Sequence, residues 1–112
     1  MILHICPKTV WQEALELGAY KGDTLDKEGF IHCSELSQVV EVANYVFKEK
    51  DNLLLLEIDP TKVTAEIKYE DPGVGEKYPH IYGPLNIDAV IETHNFKTDD
   101  SGSFVLPQKL QG

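Results

Sequence analysis

Residues 53–59 read LLLLEID, four consecutive leucines followed by glutamate, isoleucine and aspartate. Successive side chains of a strand point to opposite faces, so an unbroken apolar run predicts a strand covered on both sides. Upstream, Leu36, Val39, Val40, Ala43, Val46 and Phe47 recur at helical spacing, with Ser34 or Ser37 placed to cap that helix and KEKDN closing it. Further back, ILHIC predicts a short strand. Thr9 with Gln12 makes a capping-box pattern, and Gly18 marks the end of a first helix whose Val10, Trp11, Ala14 and Leu15 share one face. Residues 19–28, AYKGDTLDKE, are polar and glycine-containing and predict a loop before a strand at GFIHC.

Downstream, Asp59-Pro60 starts a turn, and EIKYE (66–70) alternates like a half-exposed strand. DPGVGEKYP predicts a loop, HIYGPL an extended segment and DAVIETHNF a further strand. The pattern is α+β: two helices near the N-terminus and a mostly antiparallel set of strands. A single globular domain is expected over residues 1–96. From Lys97 to residue 112 the chain predicts a polar tail, partly ordered at most, in which Phe104 to Leu106 could dock.

Composition narrows the function classes. A 112-residue chain buries roughly two-thirds of its unfolded surface and supports a core without disulfides. Cys6 and Cys33 form no disulfide framework and predict free thiols. No apolar run reaches the ~20 residues that span a bilayer, and the opening MILHICPKTVW lacks a signal peptide's features, so a cytoplasmic protein away from membranes is expected. Ten lysines against nineteen acidic residues give a net charge of −9, which argues against nucleic acid as a partner. Arginine is absent, so no bidentate guanidinium clamp exists and an anion must be held by lysine, histidine, hydroxyls or backbone N–H groups.

The polar residues then sort by strand parity. In ILHIC, His4 shares a face with Ile2 and Cys6; in GFIHCS, His32 shares one with Phe30 and Ser34, while Cys33 points the other way with Ile31. A zinc site from His4, Cys6, His32 and Cys33 would need both faces of one strand, and ligand spacings such as Cys-x-x-Cys are missing, so no metal is expected. Cys33 lies at an expected helix N-terminus, which favours a thiolate, but His32 points away from it, so packing is its expected role. PHIYGPL puts His80 and Tyr82 on one face, with Pro79 and Pro84 fixing the backbone and Gly83 allowing close approach. Imidazole and phenol suit ring stacking and hydroxyl bonds, as a ribose and an aromatic base require; a packed corner is the structural alternative. His94 is expected at the surface. GVG (73–75) lacks the spacing of a dinucleotide fingerprint.

LHICPKTVWQEALELGAY, EGFIHCSELSQVVEVANYVF, LLLLEIDP and PHIYGPLNIDAVI together resemble the domain-of-unknown-function 952 family over about residues 2–96. The family's fold is similar to the split-sheet ADP-ribosyltransferase fold, which binds NAD in a cleft. The resemblance implies His4 at the strand position that bonds the NAD ribose, and His32 with Ser34 beside the nicotinamide. His80 is then the third candidate catalytic residue, with Tyr20, Ser34, Tyr82 and Gly83 as ligand-binding positions. No arginine and no strand-borne Glu-x-Glu signature accompany them. The expectation is thus a domain that binds NAD or a related nucleotide as a small-molecule ligand, with no permanently bound cofactor. It either carries ribosyl-transfer or glycohydrolase chemistry or serves as a non-catalytic binding module. Its oligomeric state is left open.

Overall fold

The computed structural model describes residues 1–111. LLLLEID folds as its pattern requires. Strand β4 (Leu53–Ile58) is the centre of a three-stranded antiparallel sheet, between β1 (Ile2–Pro7) and β8 (Val90–Phe96). Alternate residues feed two cores. Leu54, Leu56 and Ile58 join Ile2, Cys6, Trp11 and Ile81 on one face, whereas Leu53 and Leu55 join Leu3, Val39, Ala43 and Phe96 on the other. Each leucine so buried stabilises the fold by about 1.5–3 kcal/mol.

Two further antiparallel sheets complete the α+β architecture. Strand β2 (Ala19–Tyr20) pairs with β7 (Leu85–Asn86), and β6 (Tyr78–Tyr82) lies between β3 (Ile31–His32) and β5 (Glu66–Glu70). A bridge between Leu3 and Ser34, whose backbone groups exchange two 2.8 Å hydrogen bonds, ties the first sheet to the end of β3. The inner face of the third sheet carries Ile31, Ile67 and Ile81 into the first core. Its outer face is polar and aromatic.

Three helices form where two were expected: α1 (Lys8–Leu17), α2 (Leu25–Glu28) and α3 (Val39–Val46). The supposed loop over residues 19–28 thus holds β2 and the four-residue α2, both too short for a periodic signal. Helix α1 starts before Thr9, because extended Pro7 ends β1 and the Lys8 N–H is taken by the Asn52 carbonyl; Thr9 makes no cap bond. Gly18 does close α1, at φ 84°. The inner stripe of α1 is buried Trp11 and Ala14 with partly buried Val10, and Leu15 falls beyond its edge and is exposed.

Neither Ser34 nor Ser37 caps α3. Ser34 is committed to Leu3, and the Gln38 side chain shapes the turn instead, accepting from Glu35 N at 2.9 Å and donating to the Lys77 carbonyl at 2.8 Å. Val39 and Ala43 are buried on α3, Val40, Val42 and Phe47 partly so, and Leu36 and Val46 are exposed.

Beyond β8 the chain folds back. Thr98 bridges Phe104, Phe104 N donates to Asn44 Oδ1 at 2.7 Å, and Phe104 and Leu110 are buried in the second core. Among the described residues, no helix is long and apolar enough to cross a membrane.

Candidate functional site

The outer face of the third sheet gathers the most chemistry. Register places His32 opposite His80, and Lys68 beyond His80 on β5, so one row across three strands reads His32, His80, Lys68. Tyr82 lies opposite Glu66, and Glu70 opposite Tyr78. Phe30 precedes β3 with the parity of His32, its carbonyl held by Thr24 Oγ1 at 2.8 Å.

The aromatic rings pack against one another. Phe30 stacks on His80 with centroids 4.1 Å apart, and lies 4.7 Å from His32 and 5.2 Å from Tyr82. His32 meets His80 edge to face at 5.3 Å. Under this cover His80 is only 4% exposed, although it sits on the outer face.

Each imidazole has its own carboxylate. His80 Nδ1 donates to Glu70 Oε1 at 3.0 Å, and the Tyr82 hydroxyl donates to the same oxygen at 2.5 Å. The Tyr82 hydroxyl first, then His80, hold the Glu70 carboxyl below the usual carboxylate range, and Glu70 in turn pushes the Tyr82 phenol up. His32 Nε2 donates to Glu28 Oε2 at 3.0 Å, four residues back at the end of α2, in a solvent-exposed pair. Lys68 Nζ stands 4.7 Å above the Tyr82 ring, a cation–π contact. Among the described residues, the side-chain bond of His80 is made through Nδ1 and that of His32 through Nε2, which leaves the other nitrogen of each ring without a hydrogen-bond partner.

His4 stands apart from this face. Its Nδ1 donates to the His32 carbonyl at 2.5 Å, at the β3 edge facing β1, and its Nε2 accepts from the Tyr20 hydroxyl at 2.6 Å. Both ring nitrogens are therefore occupied, and burial lowers the His4 pKa to about 4 despite the favourable carbonyl. Tyr20, expected to touch ligand, donates to His4 from the first core, and burial drives its phenol pKa upward. The Ser34 N–H, expected to face a phosphate, is bonded to Leu3 and closes the seam between sheets. Thus His32, His80 and Tyr82 come together, while His4 reaches them through backbone alone.

Gly83 lies just past this cluster. With Tyr82, Thr64, Ala65 and Asn86 it lines a shallow groove of about 420 Å³. At φ 156°, a Cβ on Gly83 would stand 2.9 Å from Ala65 Cβ, so the close approach inferred for this glycine is real. Cys6 and Cys33 are buried in the first core, and burial raises Cys6 to about 12 and pushes Cys33 up as well. Neither supplies a thiolate nucleophile.

Sequence reasoning missed Phe30, Glu28 and Glu70 as members of the site. The signal for Glu70 was the alternation of EIKYE, which puts Glu66, Lys68 and Glu70 on one face. It became informative only once β5 was paired diagonally against the His80–Tyr82 strand. His94, expected at the surface, is buried.

The fold recurs in solved structures. The crystal structure of protein CC0527 from Caulobacter crescentus superposes with a TM-score of 0.87 at 30% identity, covering 97% of this chain and 96% of that one. A double mutant of CC0527 gives the same values. Its solution NMR structure gives a TM-score of 0.79, with 91% and 89% coverage. No curated protein matches the chain. Residues 5–93 match the family described as Protein of unknown function (DUF952). With most of its length matched, the chain belongs to the DUF952 family.

Proposed function

We propose that the outer face of β3, β6 and β5 binds a nucleotide of the NAD or ADP-ribose type and exchanges protons with it through His32 and His80. The observation that carries this reading is the buried His80 imidazole, oriented by Glu70 through Nδ1 with Nε2 left unbonded. A carboxylate on one nitrogen fixes the tautomer and the orientation of the ring, the arrangement a general base requires. His32, 5.3 Å away with its own carboxylate, is the complementary acid in its doubly protonated form: His80 Nε2 accepts a proton from water or a hydroxyl, while imidazolium His32 keeps its Nε2 bond to Glu28 and gives its Nδ1 proton to the leaving group.

The ligand class follows from the donors at hand. Imidazole and phenol groups suit ribose hydroxyls, Lys68 offers a point charge for phosphate, and the groove beside Tyr82 and Gly83 has the volume of a small-molecule site. The split-sheet ADP-ribosyltransferase fold implied by the sequence resemblance is consistent with such a ligand, with ribosyl transfer or glycohydrolysis as the reaction class. His4 then serves as a positioning residue, bracing the His32 backbone.

Amide and imidazole NMR spectra recorded with NAD, ADP-ribose and AMP at millimolar concentration test the proposal. Perturbations are expected at His32, His80 and Tyr82, with little change at His4. Silence at all three positions overturns it. One observation favours a second reading, binding without turnover: Phe30 already occupies the stacking face of His80 at 4.1 Å. Chromatographic detection of nicotinamide release from NAD separates the two readings.

A further inference from the structure

A second cluster lies on the first sheet, remote in topology from the histidine pair. Glu57 on β4 stands directly opposite Glu92 on β8, and His94, two residues along, projects from the same face of β8. Like charges placed directly opposite one another in a sheet are destabilising, and the pair is tolerated here with His94 and Lys109 beside it. Here the donors converge. His94 Nε2 lies 3.0 Å from Glu57 Oε1 and 3.7 Å from Glu92 Oε2, and one ligand atom from each residue falls within 4.8 Å of the others. Donors about 2.0–2.1 Å from a tetrahedral zinc ion are roughly 3.3 Å apart; the two separations from His94 bracket that spacing, and the two carboxylates lie within 4.8 Å of each other.

The surroundings hold that geometry. The His94 side chain is 6% exposed, at the margin of the second core, so the ring has little freedom to turn away. Lys109 Nζ, from the returning C-terminal segment, takes Glu92 Oε1 at 2.9 Å and leaves Oε2 toward His94. Orientation of a ligating carboxylate by a partner on its other oxygen is what metal centres commonly use.

We propose that Glu57, Glu92 and His94 form a binding site for a divalent transition metal of the zinc class, through one nitrogen and two carboxylate oxygens, with water at the fourth position. His94 binds through the Nε2 lone pair, so the proton that Nε2 gives to Glu57 in the free protein moves to Nδ1 or to solvent. Sequence spacing does not announce such a site, because its ligands come from two strands whose register brings residue 57 to residue 92.

Calorimetry with Zn²⁺ and paramagnetic broadening with Mn²⁺, both on the full chain, test the site. One zinc per chain is expected, with His94→Gln and Glu57→Gln each weakening affinity roughly tenfold or more. Broadening by Mn²⁺ should centre on the amides of residues 57, 92 and 94 in the unaltered protein, a readout independent of whether the variants fold. Absence of binding at millimolar metal, an affinity indifferent to His94→Gln, or broadening centred on His32 and His80 overturns the proposal.

Discussion

His32 and His80 face each other across β3 and β6, their rings edge to face at 5.3 Å, each hydrogen-bonded to a different glutamate. Pairing alone would set the backbones opposite; the two carboxylates decide which nitrogen of each ring stays open.

That assignment is directly measurable. In the neutral imidazoles, His80 should be the Nδ1–H tautomer because Nδ1 donates to Glu70, and His4 the same because Nδ1 donates to the His32 carbonyl. His32 should be the Nε2–H tautomer because Nε2 donates to Glu28. Long-range ¹H–¹⁵N spectra resolve the three. Glu70→Ala should erase the preference at His80, leave that at His4 intact, and weaken nucleotide binding about tenfold or more, the usual scale for losing an orienting partner. An unchanged His80 tautomer in that variant would separate Glu70 from the site.

The buried His4 predicts an acid limb of stability. Its folded pKa, about 4, lies below the ordinary 6.5, so folding holds the ring neutral. The unfolded chain then binds more protons between those values. The stability contributed is full above pH 6.5 and is lost as the pH falls toward 4, on the order of 3 kcal/mol in all. Denaturant melts across this window should show the slope, and His4→Gln should flatten it. A slope of equal size in the variant would place the titration elsewhere.

Phe104 carries a prediction about the C-terminal segment. It packs on Phe96 with centroids 5.0 Å apart and is buried in the second core. Phe104→Ala should cost about 3–5 kcal/mol, lowering Tm by roughly 10–25 °C, since it removes a large ring from a packed layer. Calorimetric melting decides it; an unchanged Tm would mean that the segment is dispensable to the core.

The cysteines should be silent in the folded state. With Cys6 raised to about 12 and Cys33 pushed up by burial, both thiols stay protonated and covered. Labelling by a thiol reagent near neutral pH should proceed only at the rate of global opening and reach completion in denaturant. Rapid native labelling of Cys33 would revive a nucleophilic role for it.

Local pattern was enough to read β4 from its leucine run, the outward pairing of His80 with Tyr82, and the inward turn of Cys33 beside an outward His32. These follow from a two-residue period and from the cost of leaving apolar surface in water, both written into adjacent positions. The membership of the site was not local. Glu70 joins His80 only through the β5–β6 register, Glu28 joins His32 through a four-residue helix too short to show periodicity, and Glu57 meets Glu92 across 35 residues of chain. The same holds for His4, placed by its strand among candidate catalytic groups and then taken out of contention by two hydrogen bonds to distant partners. Sequence by itself determined which faces are apolar and which residue types stand on them. Tertiary structure decided which nitrogens remain free, because a hydrogen bond depends on a partner's position within a few tenths of an ångström, and strand pairing sets that position.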